Sequence, residues 1–125
     1  MPQSDRLDCI FHLQEEFMKE LSDKKEKLPE WPVDPASKKA QQFIRDIIHR
    51  STEEVHEALA HLKNWRPHKH TETKEFNRDE FLEEMIDSFT YQLEAMILMG
   101  YEPKEFFDAF CAKNRKNLDR VNGDY

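Results

Sequence analysis

Residues 77–100, NRDEFLEEMIDSFTYQLEAMILMG, decide the fold class. Asn77, with Glu80 three positions on, suits a capping box that opens a helix, and Gly100 suits its stop. Between them Phe81, Leu82, Met85, Ile86, Phe89, Leu93 and Met96 recur at helical spacing and form a main apolar stripe. Glu84 and Asp87 lie on the other side, but that side also carries Tyr91, Ala95 and Leu98. A helix that is apolar on more than one side packs against more than one neighbour.

Working outward, three further helical patterns appear. Downstream, Pro103 opens a helix that runs to about 121, with Phe106, Phe107, Phe110, Cys111 and Leu118 on one stripe. Upstream, residues from about 5 to 26 carry Leu7, Ile10, Phe11, Phe17, Met18 and Leu21 at helical spacing. Pro29, Pro32 and Pro35 then break the chain. Asp34 and Pro35 read as cap and first-turn residue of a second helix, reaching to about 63. The stretch WRPHKHTETKEFN, 65–77, is a polar loop. The expected architecture is all-α, a four-to-five-helix bundle formed by one domain over 1–125.

Bulk composition agrees. The 125 residues include only two glycines and six prolines, too few for a turn-rich β protein. A formal charge of −7 argues against a nucleic-acid backbone binder, which would present a basic face. Apolar residues are 38% of the chain against 36% charged, a lean core that burial between subunits would help. No apolar run approaches a membrane span, and the MPQSDRLD start lacks the basic and apolar regions of a signal peptide. Cys9 and Cys111 are far apart and form no CxxC pattern, so they read as reduced thiols of a cytoplasmic protein.

The polar residues on these helices carry the chemistry. On the second helix Ile44, Ile47, Ile48, Val55, Ala58, Leu59 and Leu62 form the stripe, with Glu54 on its flank and Glu57 one turn on. Glu84 and Asp87 repeat the arrangement on the third helix. Carboxylates three apart on one face repel, and a divalent cation is an economical compensation, because Mg²⁺ takes hard oxygen ligands. One ExxE is usually a solvated face. Two acidic pairs on successive long helices, each against an apolar flank, favour a site. Gln14 sits at the centre of the first helix's stripe and Asn114 in the middle of the fourth's. Each reads equally as a buried amide satisfied by a neighbouring helix or as a group that reads a nucleobase edge. Lys113, Asn117 and Arg120 form a polar edge beside Asn114. The loop adds Lys63, Arg66, Lys69 and Lys74 with Trp65, His68 and His70, a composition that suits phosphate better than zinc.

In this order the motifs resemble those of the all-α nucleoside triphosphate pyrophosphatases, the MazG-like superfamily, and in particular its dimeric dUTPase branch. EVHEALAHLKNWRPHK, 54–69, is similar to the family's ExxE helix with its tryptophan and basic loop. LEEMIDSFTYQLEAMILMGY, 82–101, resembles the ExxD helix, KNRKNLDRVNGDY the closing Lys/Asn/Arg motif, and LQEEF around Gln14 the first-helix glutamine motif. The resemblance implies Mg²⁺ (with Mn²⁺ as substitute) held by Glu54, Glu57, Glu84 and Asp87, and hydrolysis of dUTP to dUMP and pyrophosphate. It implies phosphate contacts from Arg66, Lys69, Lys113 and Arg120, base or sugar recognition by Gln14, Asn114 and Asn117, and closure of the site by Trp65 and Tyr125. Glu54 is the expected base toward water. The same chemistry on dCTP or a non-standard nucleotide stays open, as does a non-catalytic helical interaction protein that keeps the fold. The doubly apolar third helix predicts a homodimer or a pair of dimers formed largely through it.

Overall fold

The structure is a computed structural model that describes residues 5–123; Tyr125, expected near the site, lies outside the described residues. Among the described residues it holds no strand and four helices: α1 (Arg6–Lys24), α2 (Lys38–Leu59), α3 (Arg78–Leu98) and α4 (Pro103–Val121). Among the described residues, no helix is long and apolar enough to cross a membrane.

The caps show why these segments start where they do. Asp5 accepts from the N–H groups of Leu7 and Asp8 at 2.9 and 3.3 Å, which satisfies two of the donors exposed at the start of α1. Asn77 accepts from the Glu80 N–H at 3.0 Å, as the expected cap of α3. Pro103 opens α4, and the Glu105 carboxylate accepts from the Glu102 N–H at 3.3 Å. The start of α2 differs from expectation. Asp34 and Pro35 form a turn, in which the Ser37 N–H donates to the Asp34 carbonyl at 3.0 Å, and the Ser37 hydroxyl is the cap, accepting from Ala40 at 3.3 Å. The end of α2 differs too. Beyond Ala60 the chain makes single-turn bonds from His61 to Ala58 and Leu62 to Leu59, so the α-helix stops short of residue 63.

The chain divides into two compact units. One is drawn from the N-terminal stretch up to Val33 and the C-terminal stretch from Met96. Within it α1 pairs with α4, and the rings of Phe11 and Phe106 lie 6.0 Å apart, tilted at 59°. Phe11, Gln14 and Met18 are buried on α1, one face at helical spacing. Gly100 (φ +88°) turns the chain out of α3 while the Val33 N–H donates to the Leu98 carbonyl at 2.8 Å. Asn114, expected inside an apolar stripe, is exposed, because α4 buries no residue of its own; Phe107, Phe110 and Leu118 are exposed as well.

The other unit, Asp34–Ala95, contains α2 and most of α3. Its buried α2 face runs through Ala40, Ile47, Ser51 and Ala58. On α3 the buried face is Ser88, Glu94 and Ala95, with Glu84 and Tyr91 half-buried. The stripe expected to be the core face of α3 is divided: Leu82, Ile86 and Phe89 are more than half exposed, while Phe81, Met85, Leu93 and Met96 are half-buried. The fully buried positions of α3 in this unit, Ser88, Glu94 and Ala95, lie toward the side bearing Glu84. Small side chains explain the choice, since Ser51 and Ser88 let two helix backbones meet closely, with their hydroxyls 3.0 Å apart.

Candidate functional site

Glu54 and Glu57 share the α2 face one turn beyond Ser51, and Glu84 and Asp87 flank Ser88 on α3. The Ser51–Ser88 contact therefore carries the two acidic pairs toward one another. Carboxylate oxygens of Glu54, Glu84 and Asp87 all lie within 4.8 Å of one another. Glu57 joins them through hydrogen bonds to Glu54 and Glu84. Three of the four expected carboxylates thus meet in one cluster, with Glu57 beside it.

Their electrostatics reflect the crowding. Removal from water raises the Glu54 carboxyl above the usual range, with the hydrogen bond to Glu57 and the charges of Glu57, Asp87 and Glu84 adding to it. Glu84 is raised first by its hydrogen bond with Glu57, then by partial burial and by the charges of Glu57 and Asp87. His61 opposes that rise, its Nε2 lying 3.9 Å from Glu84 Oε1 and its Nδ1 3.8 Å from Glu80 Oε2. The Tyr91 phenol is also raised, by burial and then by Glu54, against the pull of Arg50. Tyr91 therefore keeps its proton beside the carboxylates at neutral pH.

The donor set fits a hard divalent cation. Oxygens on opposite sides of Mg²⁺, each at about 2.1 Å, stand about 4.2 Å apart, so carboxylate oxygens within 4.8 Å need only small side-chain adjustments. Raised carboxyls also mean that negative charge here is under-compensated, which a cation would relieve.

The loop after α2 belongs to the same unit. The Asn64 side chain closes its neck, its Nδ2 donating to the Lys74 carbonyl at 2.8 Å and its Oδ1 accepting from the Lys74 N–H at 3.0 Å. Arg66 stacks over the Trp65 ring at 4.8 Å, and the Lys69 N–H bonds the Arg66 carbonyl at 3.4 Å. His61, Trp65 and Phe76 help line a cleft of about 330 Å³. Trp65, Arg66 and Lys69 are exposed, available to a ligand but not committed to one.

The remaining expected residues belong to the other unit. Gln14 is buried, as its position on the α1 stripe predicts, and its Nε2 has no hydrogen-bond partner. Lys113, Asn114, Asn117 and Arg120 are exposed along α4. His61, Asn64 and the Ser51–Ser88 pair did not stand out in the sequence. His61 follows Glu57 by four positions and Glu54 by seven, a spacing that would have singled it out. For Asn64 no local signal exists, because its partner lies ten residues away. Compared with family models, with curated proteins and with solved structures, the chain has no match in any of the three.

Proposed function

We propose that the chain is a Mg²⁺-dependent nucleoside triphosphate pyrophosphohydrolase of the all-α type, with dUTP as the substrate and dUMP and pyrophosphate as products. The observation that carries this reading is the meeting of Glu54, Glu84 and Asp87, from two helices, in one carboxylate cluster. It is supported by the loop of Lys63, Arg66, Lys69 and Lys74, to which His61 connects the cluster. The motif resemblance supplies the reaction.

Glu54, Glu57, Glu84 and Asp87 would hold the cation. When bound, Mg²⁺ supplies neutralisation of the triphosphate charge and Lewis acidity at the reacting phosphoryl group. The raised basicity of Glu54 suits it to accept the proton of the attacking water. The water oxygen bonds to the α-phosphorus, the bond to the α–β bridging oxygen breaks, and pyrophosphate leaves with the electron pair. Arg66 and Lys69 would meet the departing charge. Gln14, Lys113, Asn114, Asn117 and Arg120 keep the base and phosphate roles that the resemblance implies, and Trp65 that of a closing side chain. A homodimer is part of the proposal, supported by the exposed Leu82, Ile86 and Phe89 at helical spacing on α3.

A panel of nucleoside triphosphates, with and without Mg²⁺ and with pyrophosphate detection, tests this. Mg²⁺-dependent release fastest with dUTP is expected. Faster turnover of dCTP or a non-standard nucleotide keeps the chemistry and moves the substrate. No release from any triphosphate, and no thermal shift with nucleotide plus metal, overturns the reading in favour of an interaction protein.

A further inference from the structure

We infer that Ser51, Ser88 and Gln92 form a positioning network that holds α2 against α3 at the spacing the carboxylate cluster requires. This rests on the cation-site reading above. Ser51 and Ser88 are 4% and 1% exposed, with their hydroxyl oxygens 3.0 Å apart. Gln92 Nε2 donates to Ser51 Oγ at 3.2 Å and to Ser88 Oγ at 3.4 Å. The three side chains thus satisfy one another across the interface.

Their place on the helices gives the network its role. Ser51 is one turn before Glu54, while Ser88 directly follows Asp87 and is one turn beyond Glu84. Carboxylates gathered from two helices repel and push the helix faces apart. An apolar contact at this level would resist separation, yet it would let the helices slide or rotate by a fraction of a ridge. A hydroxyl pair held by a shared amide is directional and sets distance and rotation together. Its location, beside the ligands and touching none of the reacting atoms, is where ligand geometry is usually set.

The test is Mn²⁺ affinity, by electron paramagnetic resonance or calorimetry, alongside thermal stability with and without Mn²⁺. The proteins compared are the unsubstituted chain, Glu54→Gln, Ser88→Ala and Gln92→Met. We expect Ser88→Ala to weaken Mn²⁺ binding about tenfold, the lower end for residues that orient metal ligands, while its circular dichroism stays helical at the assay temperature. Gln92→Met removes the donor at the half-buried edge while keeping length, and carries the same expectation if Ser88→Ala does not fold. Binding by both serine-network variants equal to the unsubstituted chain, with Glu54→Gln defective, overturns the positioning role and leaves the cation site standing. Equal binding by the unsubstituted chain and Glu54→Gln overturns the cation site and the network's role with it.

Discussion

Glu54 on α2 and Asp87 on α3 hold carboxylate oxygens within 4.8 Å of each other, with Glu84 in the same cluster. Neither residue could do this alone, since each helix supplies only one side. Glu54→Gln and Asp87→Asn should therefore each lower Mg²⁺-dependent kcat/KM by at least about a hundredfold, the usual contribution of a positioned base or more. Pyrophosphate release measures this. Turnover near that of the unsubstituted protein would sink the assignment.

The same crowding makes stability depend on pH. Glu54 and Glu84 have carboxyls raised in the folded state, so the folded protein binds more protons than the unfolded chain above about pH 4.3, the ordinary glutamate value. Their contribution is fully present below that value and is lost as pH rises through the folded-state values. Without divalent cation, urea midpoints should fall across that rise. Glu54→Gln should flatten the slope, and 5 mM-scale Mg²⁺ (on the order of millimolar, well above a typical site's need) should restore the midpoint at neutral pH. A slope unchanged in the variant would argue against a crowded cluster.

Asn64 closes the cationic loop by two hydrogen bonds to Lys74. Asn64→Ala should raise KM for the triphosphate roughly tenfold, the equivalent of about 1.4 kcal/mol, with kcat nearly unchanged. Steady-state kinetics at two salt concentrations would check it. An unaltered KM would mean that the loop does not meet the phosphates.

Gly100 has φ +88°, and a Cβ placed there would lie 2.9 Å from the Pro32 Cβ. Gly100→Ala should cost about 1–3 kcal/mol through backbone strain and the clash. Urea denaturation reads it directly, and a midpoint equal to that of the glycine protein would contradict the tight approach.

Leu82, Ile86 and Phe89 follow one another on one exposed side of α3. Sedimentation velocity at micromolar concentration should give a species near twice the 15.1 kDa chain mass or larger. Ile86→Asp should shift it to monomer while keeping helical content. A monomeric unsubstituted protein would count against the dimer.

Much of the helical outline was legible in residues 77–100 and their flanks. Asn77 and Pro103 act locally, through a cap or a fixed φ, so they marked the starts of α3 and α4 without knowledge of the rest. Ser37 was missed because Asp34 and Pro35 make an equally good local start, and the turn they form pushes the helix three residues on. The pairing of acidic residues within each helix was legible for the same reason, since a period of 3.6 places Glu54 with Glu57 and Glu84 with Asp87.

Which face each helix buries was not a local matter. Hydropathy favours the stripe from Phe81 to Met96 as the core of α3, yet the tertiary structure leaves its Leu82, Ile86 and Phe89 exposed and fully buries Ser88 and Ala95. Two small side chains satisfy one another's hydroxyls there, and no single-helix pattern contains that contact. The sequence by itself determined four helices and two acidic pairs. Only the tertiary structure decided that the pairs share one cluster, because Ser51 meets Ser88 and the distance between their helices is a property of both.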